Sequence, residues 1–164
     1  MRVIGIDPGT ASCGFGVVNA HRNRVSAVDY GVWKTSARQP LQVRLGALHE
    51  HLIELVVEHE PDAVAFEESF VGADLRTALS VGQARGALLA ACSRAGVVAT
   101  EYPPATVKQA VGGYGRADKQ QMQRMVEIML QLDAPPKPHH AADALAVAIC
   151  HALGSPLLTE AGTA

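Results

Sequence analysis

Asp7, Glu67 and Asp143 are carboxylates in places that should not carry charge. Asp7 closes the apolar run Val3, Ile4, Ile6 immediately before a Pro8-Gly9 turn, and Glu67 follows Ala65-Phe66 in the same way. Asp143 sits among Ala141, Ala142, Ala144, Leu145 and Ala146, with His140 three residues earlier. An acid at the end of a buried strand must have its desolvation offset by a partner, a proton or a metal. Brought within a few ångströms of one another, three carboxylates could not all stay ionised without a cation. Hard oxygen ligands that leave room for water suit Mg²⁺ or Mn²⁺. Two such ions about 3.5–4 Å apart can activate a water and stabilise the leaving oxygen in phosphodiester hydrolysis.

That chemistry requires two strand ends and a helix to converge. The periodicity predicts strands over residues 2–7, 13–19, 24–33, 63–67 and 97–102. A helix is expected over about 40–59, where Leu41, Leu45, Leu48, Leu52 and Leu55 recur at helical spacing. Asp74 is placed to cap a second helix, over about 75–95, along which Ala78, Gly82, Gly86 and Ala90 form a stripe of small residues. The stripe could pack on the sheet or face a second copy of the chain. Pro103-Pro104 ends the fifth strand, a short helix carries Val107-Lys108, and Gly112 to Gly115 read as a loop. Asp118 caps a helix to about 131, with Met122, Met125, Val126 and Met129 facing inward. The last helix follows Pro138 and is ended by Gly154; residues 155–164 read as a frayed tail. Strands one and four can then be parallel neighbours in a mixed α/β sheet, with Asp7 and Glu67 side by side. His140 and Asp143 share one face of the last helix. Glu68 is the rival of Glu67, but a one-residue slip would send it to the opposite face of the sheet.

With 164 residues the chain is sized for one domain, and 48% hydrophobic residues make it a folded one. We read residues 1–154 as that domain. No segment approaches the roughly 20 apolar residues of a membrane span, and the first residues run straight into a strand without a signal pattern. Cys13, Cys92 and Cys150 lack C-x-x-C spacing and read as reduced, mostly buried thiols. These features lead us to expect a cytoplasmic protein. The net charge of −2 disfavours a general nucleic-acid coat protein but leaves room for a local basic face. Such a face is offered by Lys108, Arg116, Lys119 and Arg124, with Asp118 the one acid between 108 and 126.

In order along the chain, Gly5-Ile6-Asp7-Pro8-Gly9-Thr10, Phe66-Glu67-Glu68-Ser69-Phe70, Val81-Gly82-Gln83-Ala84-Arg85-Gly86, Val107-Lys108-Gln109 and Ala142-Asp143-Ala144-Leu145-Ala146 resemble the motifs of the RuvC family. Each motif is weak alone; together they cover about residues 1–153. The resemblance implies an RNase H-like fold: a five-stranded mixed sheet flanked by helices. It also implies a Holliday-junction resolvase that acts as a homodimer, nicks two opposed strands symmetrically and leaves 5′-phosphate ends. On this resemblance Asp7, Glu67, His140 and Asp143 match the catalytic, metal-binding positions, for two Mg²⁺ or Mn²⁺ ions. Lys108 and Lys119 match positions linked to DNA contact, and the branch-migration proteins RuvA and RuvB would be partners. The dimer contact is expected on the second helix. Phe70 could stack on an unpaired base, while Arg76 and Arg116 could reach phosphates.

Many relatives carry aspartate where His140 stands, and others carry histidine. An imidazole is a softer ligand, so a preference for Mn²⁺ over Mg²⁺ is expected. His140 could also position or deprotonate the attacking water, with activity falling below about pH 6.5. His139 is adjacent and expected to face solvent. Three other readings compete. A phosphotransferase of the actin and sugar-kinase type shares the Gly-Ile-Asp-x-Gly-Thr pattern but needs a second phosphate loop. A YqgF-type RNA-processing nuclease is a second, and the Lys108 and Gly82-Gln83-Ala84-Arg85 segments argue against it. A module that binds branched DNA without cutting would have no need of all three carboxylates.

Overall fold

The computed structural model describes residues 1–22, 24–68 and 74–154. Phe70 and the tail at 155–164 lie outside the described residues. The chain runs β1 (Arg2–Asp7), β2 (Ser12–His21), β3 (Arg24–Lys34), α1 (Leu41–His59), β4 (Ala63–Glu67) and α2 (Leu75–Ala95). It continues through β5 (Val98–Tyr102), α3 (Pro104–Gly112), α4 (Lys119–Leu130) and α5 (His139–Gly154). The strands form one sheet in the order β3-β2-β1-β4-β5. The first three make an antiparallel meander, while β4 and β5 join parallel to β1 through crossover helices.

Both faces of the sheet are covered, which is why β1 and β4 read as near-continuous apolar runs rather than alternating ones. Ile4, Ile6, Val64 and Phe66 pack with Leu48, Leu52, Ala84 and Leu88 of α1 and α2. Val3, Val18 and Ala65 pack on the other side with Leu145, Val147 and Ile149 of α5, together with residues of α3 and α4. Burial keeps all three cysteines as thiols: it pushes Cys13 up to about 12 and Cys92 and Cys150 to about 11. Among the described residues, no helix is long and apolar enough to cross a membrane.

The helix caps follow the sequence. The Asp74 carboxylate accepts the Arg76 amide at 3.1 Å and the Thr77 hydroxyl at 2.5 Å. Asp118 and Gln121 form a reciprocal capping box at the start of α4. The small-residue stripe turns away from the sheet. Ala84, Leu88, Ala91 and Cys92 are the buried residues of α2, whereas Gly82, Gly86 and Ala90 are exposed and a Cβ on either glycine would meet open space.

The close approach that matters is elsewhere, under α5. A Cβ on Gly5 would overlap the Ala144 carbonyl, and one on Gly14 would overlap the carbonyl of His140. Glycine inside a strand weakens the strand, and here the gain is a helix backbone lying directly on the sheet. Gly14 is the register partner of Asp7, so this contact sets how far His140 stands from Asp7. Gly14→Ala is therefore expected to cost about 1–3 kcal/mol by overpacking. A lower urea midpoint should be accompanied by weaker divalent-cation binding, because the helix that carries His140 and Asp143 must move.

Candidate metal centre and nucleic-acid interface

The pairing of Ile6 with Phe66 brings the C-terminal ends of β1 and β4 together. Side chains alternate along a strand, so Asp7 follows Gly5, and Glu67 follows Ala65, onto the face covered by α5. Glu68 falls on the opposite side and is exposed. α5 crosses above these strand ends with its first turns. His140 Nδ1 donates to Asp7 Oδ2 at 2.6 Å. One ligand atom each from Asp7, His140 and Asp143 lies within 4.8 Å of the others. Glu67 stands just outside that set and lines the same two clefts as Asp7 and His140.

The electrostatics are those of a site short of positive charge. Burial raises the Asp7 carboxyl above its ordinary value, against the opposing pull of His140. Burial also raises Asp143, and the charge on Asp7 adds to it. Glu67 is pushed up to about 7, first by burial and then by the charges of Asp143 and Asp7. Lys108 and Lys119 act in the other direction on Glu67 without cancelling the shift. Carboxylates and an imidazole converging at an open cleft, each acid resisting ionisation, form a donor set that fits a hard divalent cation. His140 would supply the nitrogen ligand and Asp7, Asp143 and Glu67 the oxygens.

Two clefts meet at these acids. The larger, about 480 Å³, runs past Pro8, Glu68, Asp74, Thr77 and Val81 toward α2. The second, about 370 Å³, is bordered by Lys108 of α3, Lys119 of α4, His139 and Asp143. Arg76 lines a third, open groove beside His140, with Thr10, Ser12, Thr77 and Ser80. Of the basic residues expected near DNA, Lys108, Lys119 and Arg76 thus border the centre. Arg116 is exposed on the segment between α3 and α4 and lines none of these three clefts. Sequence reasoning missed Gly5 and Gly14, although glycines inside two predicted strands are a usable signal of close backbone approach. It also missed Thr10 and Ser80, whose contact spans 70 residues.

The family model described as crossover junction endodeoxyribonuclease RuvC matches residues 3–151. The crossover junction endodeoxyribonuclease RuvC of Desulfitobacterium hafniense (strain DSM 10664 / DCB-2) is 49% identical over 164 residues, covering 100% of this chain and 99% of that one. The chain belongs to the RuvC family. It is a nuclease, and its acidic cluster is consistent with the divalent-metal dependence of RuvC enzymes. The structure of T. thermophilus RuvC in complex with a Holliday junction substrate superposes with a TM-score of 0.89 at 41% identity, over 93% of each chain. The yeast mitochondrial Holliday junction resolvase Ydc2 shares the fold, with a TM-score of 0.66 at 14% identity over 96% of this chain and 82% of that one. The RNase H-like architecture expected from the RuvC motifs is therefore the one observed.

Proposed function

We propose that this chain resolves four-way DNA junctions as a homodimer, through symmetric nicks in two opposed strands and two divalent ions per site. The observation that carries the reading is the convergence of Asp7, His140 and Asp143 within 4.8 Å at an open cleft, with Glu67 beside them. When bound, the ions supply an activated water and stabilise the leaving oxygen. The chain's own residues do the rest. Asp7, Glu67, His140 and Asp143 hold the cations, and the hydrogen bond from His140 orients the Asp7 carboxylate. Lys108 and Lys119 border the same cleft and neutralise phosphates flanking the scissile bond. Arg76 and Arg116 extend the phosphate contacts, and Phe70 stacks on a base at the junction centre. With Nδ1 engaged by Asp7, Nε2 of His140 remains to hold a ligand or a water proton. Its softness favours Mn²⁺ over Mg²⁺.

The exposed stripe of α2 supports the dimer. Leu75 and Leu79 are 77% and 64% exposed, and Gly82 and Gly86 continue the same side of the helix into open space. A flat apolar strip of this kind suits a self-complementary twofold contact. Two sites related by that axis would match the two equivalent strands of a four-way junction. Leu79→Glu is expected to convert dimer to monomer at micromolar concentration, read by sedimentation velocity, and to uncouple the two nicks on a supercoiled cruciform. RuvA and RuvB would deliver the junction, residues 1–154 would form the nuclease domain, and the work would be done in the cytoplasm.

The deciding experiment compares cleavage of a mobile four-way junction, linear duplex and an RNA–DNA hybrid with Mg²⁺ or Mn²⁺. Paired cuts confined to the junction are expected. Equal cutting of duplex or hybrid would overturn the assignment.

A further inference from the structure

Thr10 ends the turn that carries the chain out of β1 after Asp7, and it is one of the few buried polar residues, at 7% exposed. Its hydroxyl lies 2.5 Å from that of Ser80 on α2. Its carbonyl accepts the hydroxyl of Thr35, and the neighbouring Ala11 carbonyl accepts the Thr35 amide at 3.1 Å. Thr35 Oγ1 in turn accepts from Arg44 Nε of α1 at 2.9 Å. The turn is therefore fastened to both helices on the far face of the sheet, opposite the face on which α5 brings His140 and Asp143. Gly9, inside the turn, has no room for a Cβ because the Ser12 carbonyl occupies that space.

These bonds bear on Asp7. Its carboxylate receives a hydrogen bond from His140 on one side. Its other support is its own backbone, which leaves β1 through this turn. Buried hydroxyls need partners, so Thr10 and Ser80 satisfy each other only while the turn stays against α2. Partners behind a metal ligand fix its orientation, and losing one typically costs ten- to a hundredfold in metal affinity or activity.

We infer that the hydroxyl pair Thr10–Ser80 is a positioning device for Asp7, fixing the turn so that the carboxylate stays where His140, Asp143 and Glu67 converge. This rests on the metal-dependent nuclease reading above. The test uses full-length Thr10→Val, Thr10→Ser and Ser80→Ala proteins. Mn²⁺ binding is followed by electron paramagnetic resonance, and single-turnover junction cleavage is measured well below each melting temperature. Thr10→Val and Ser80→Ala should each weaken Mn²⁺ binding and slow cleavage by about tenfold, with junction affinity unchanged. Thr10→Ser, which keeps the hydroxyl, should stay within about twofold of the parent. Mn²⁺ binding unchanged in the folded variants, with only the melting temperature lowered, would overturn the inference. So would a Thr10→Ser protein as impaired as Thr10→Val. Should Thr10→Val fail to fold, Ser80→Ala decides, since Ser80 is only half-buried. A parent protein that binds Mn²⁺ but leaves junctions intact would defeat the nuclease reading, and the Mn²⁺ titrations would still decide the role of the pair.

Discussion

Asp7→Asn is expected to lower strand cleavage by about a thousandfold or more while junction binding is retained. The amide keeps the shape of the side chain, and its oxygen can still accept from His140 Nδ1. What it removes is a charge at the centre of the site, bonded to His140 and within 4.8 Å of the ligand atoms of Asp143. No other donor in the cluster can replace it, because Glu67 belongs to a neighbouring strand and Asp143 to α5. Stability should move the opposite way. Burial raises the Asp7 carboxyl, so its ionised form costs the metal-free fold stability at neutral pH. The metal-free Asp7→Asn protein should therefore melt no lower than the parent at pH 8, and the increase in melting temperature on adding Mn²⁺ should be largely lost. Junction affinity by gel shift in Ca²⁺, cleavage in Mn²⁺ and melting curves with and without metal check the three parts. Cleavage near the parental rate would remove Asp7 from the site.

The features that made Asp7 legible are chemical. A charge at the end of an apolar run conflicts with burial, and the same conflict marks Glu67 and Asp143. The period-two alternation of strands then separates Glu67 from Glu68, and the three-residue spacing of His140 and Asp143 puts them on one side of α5. The structure agrees with all of these. Other features depend on contacts that periodicity does not encode. The small-residue stripe of α2 was compatible with the sheet or with a partner, because Gly82 and Gly86 carry no side chain to reveal a preference. Its direction is fixed by Ala84, Leu88 and Cys92, which occupy the inner face. The height of α5 above the sheet depends on glycines in β1 and β2 meeting backbone carbonyls some 130 residues later. That distance in sequence also hides why Asp7 lies so close to His140. Glu67, expected among the ligands, lies slightly apart at the end of β4, outside the group formed by Asp7, His140 and Asp143.

That separation bears on how the site responds to pH. Glu67 is raised from 4.5 to about 7, by burial and by its two acidic neighbours. An acid raised on folding binds its proton more tightly in the native state than in the unfolded chain. Between those two values the native state holds the extra proton, so rising pH removes stability from the metal-free protein across that window. A cation must displace the same proton. At a fixed, subsaturating Mn²⁺ concentration, occupancy should therefore climb with pH, by roughly tenfold between about pH 6 and about pH 8 for this one group. The stabilisation given by Mn²⁺ should grow over the same interval, since the ion relieves the repulsion that the ionised acids create. Glu67→Gln has no proton to lose there, so its Mn²⁺ affinity should be lower and its pH dependence flatter. Isothermal titration of Mn²⁺ into parent and Glu67→Gln proteins at several pH values measures both. An affinity for Mn²⁺ in the parent that stays constant from pH 6 to pH 8 would mean that Glu67 is already ionised before the cation arrives, with Lys108 and Lys119 offsetting more of its neighbours' charge than burial permits.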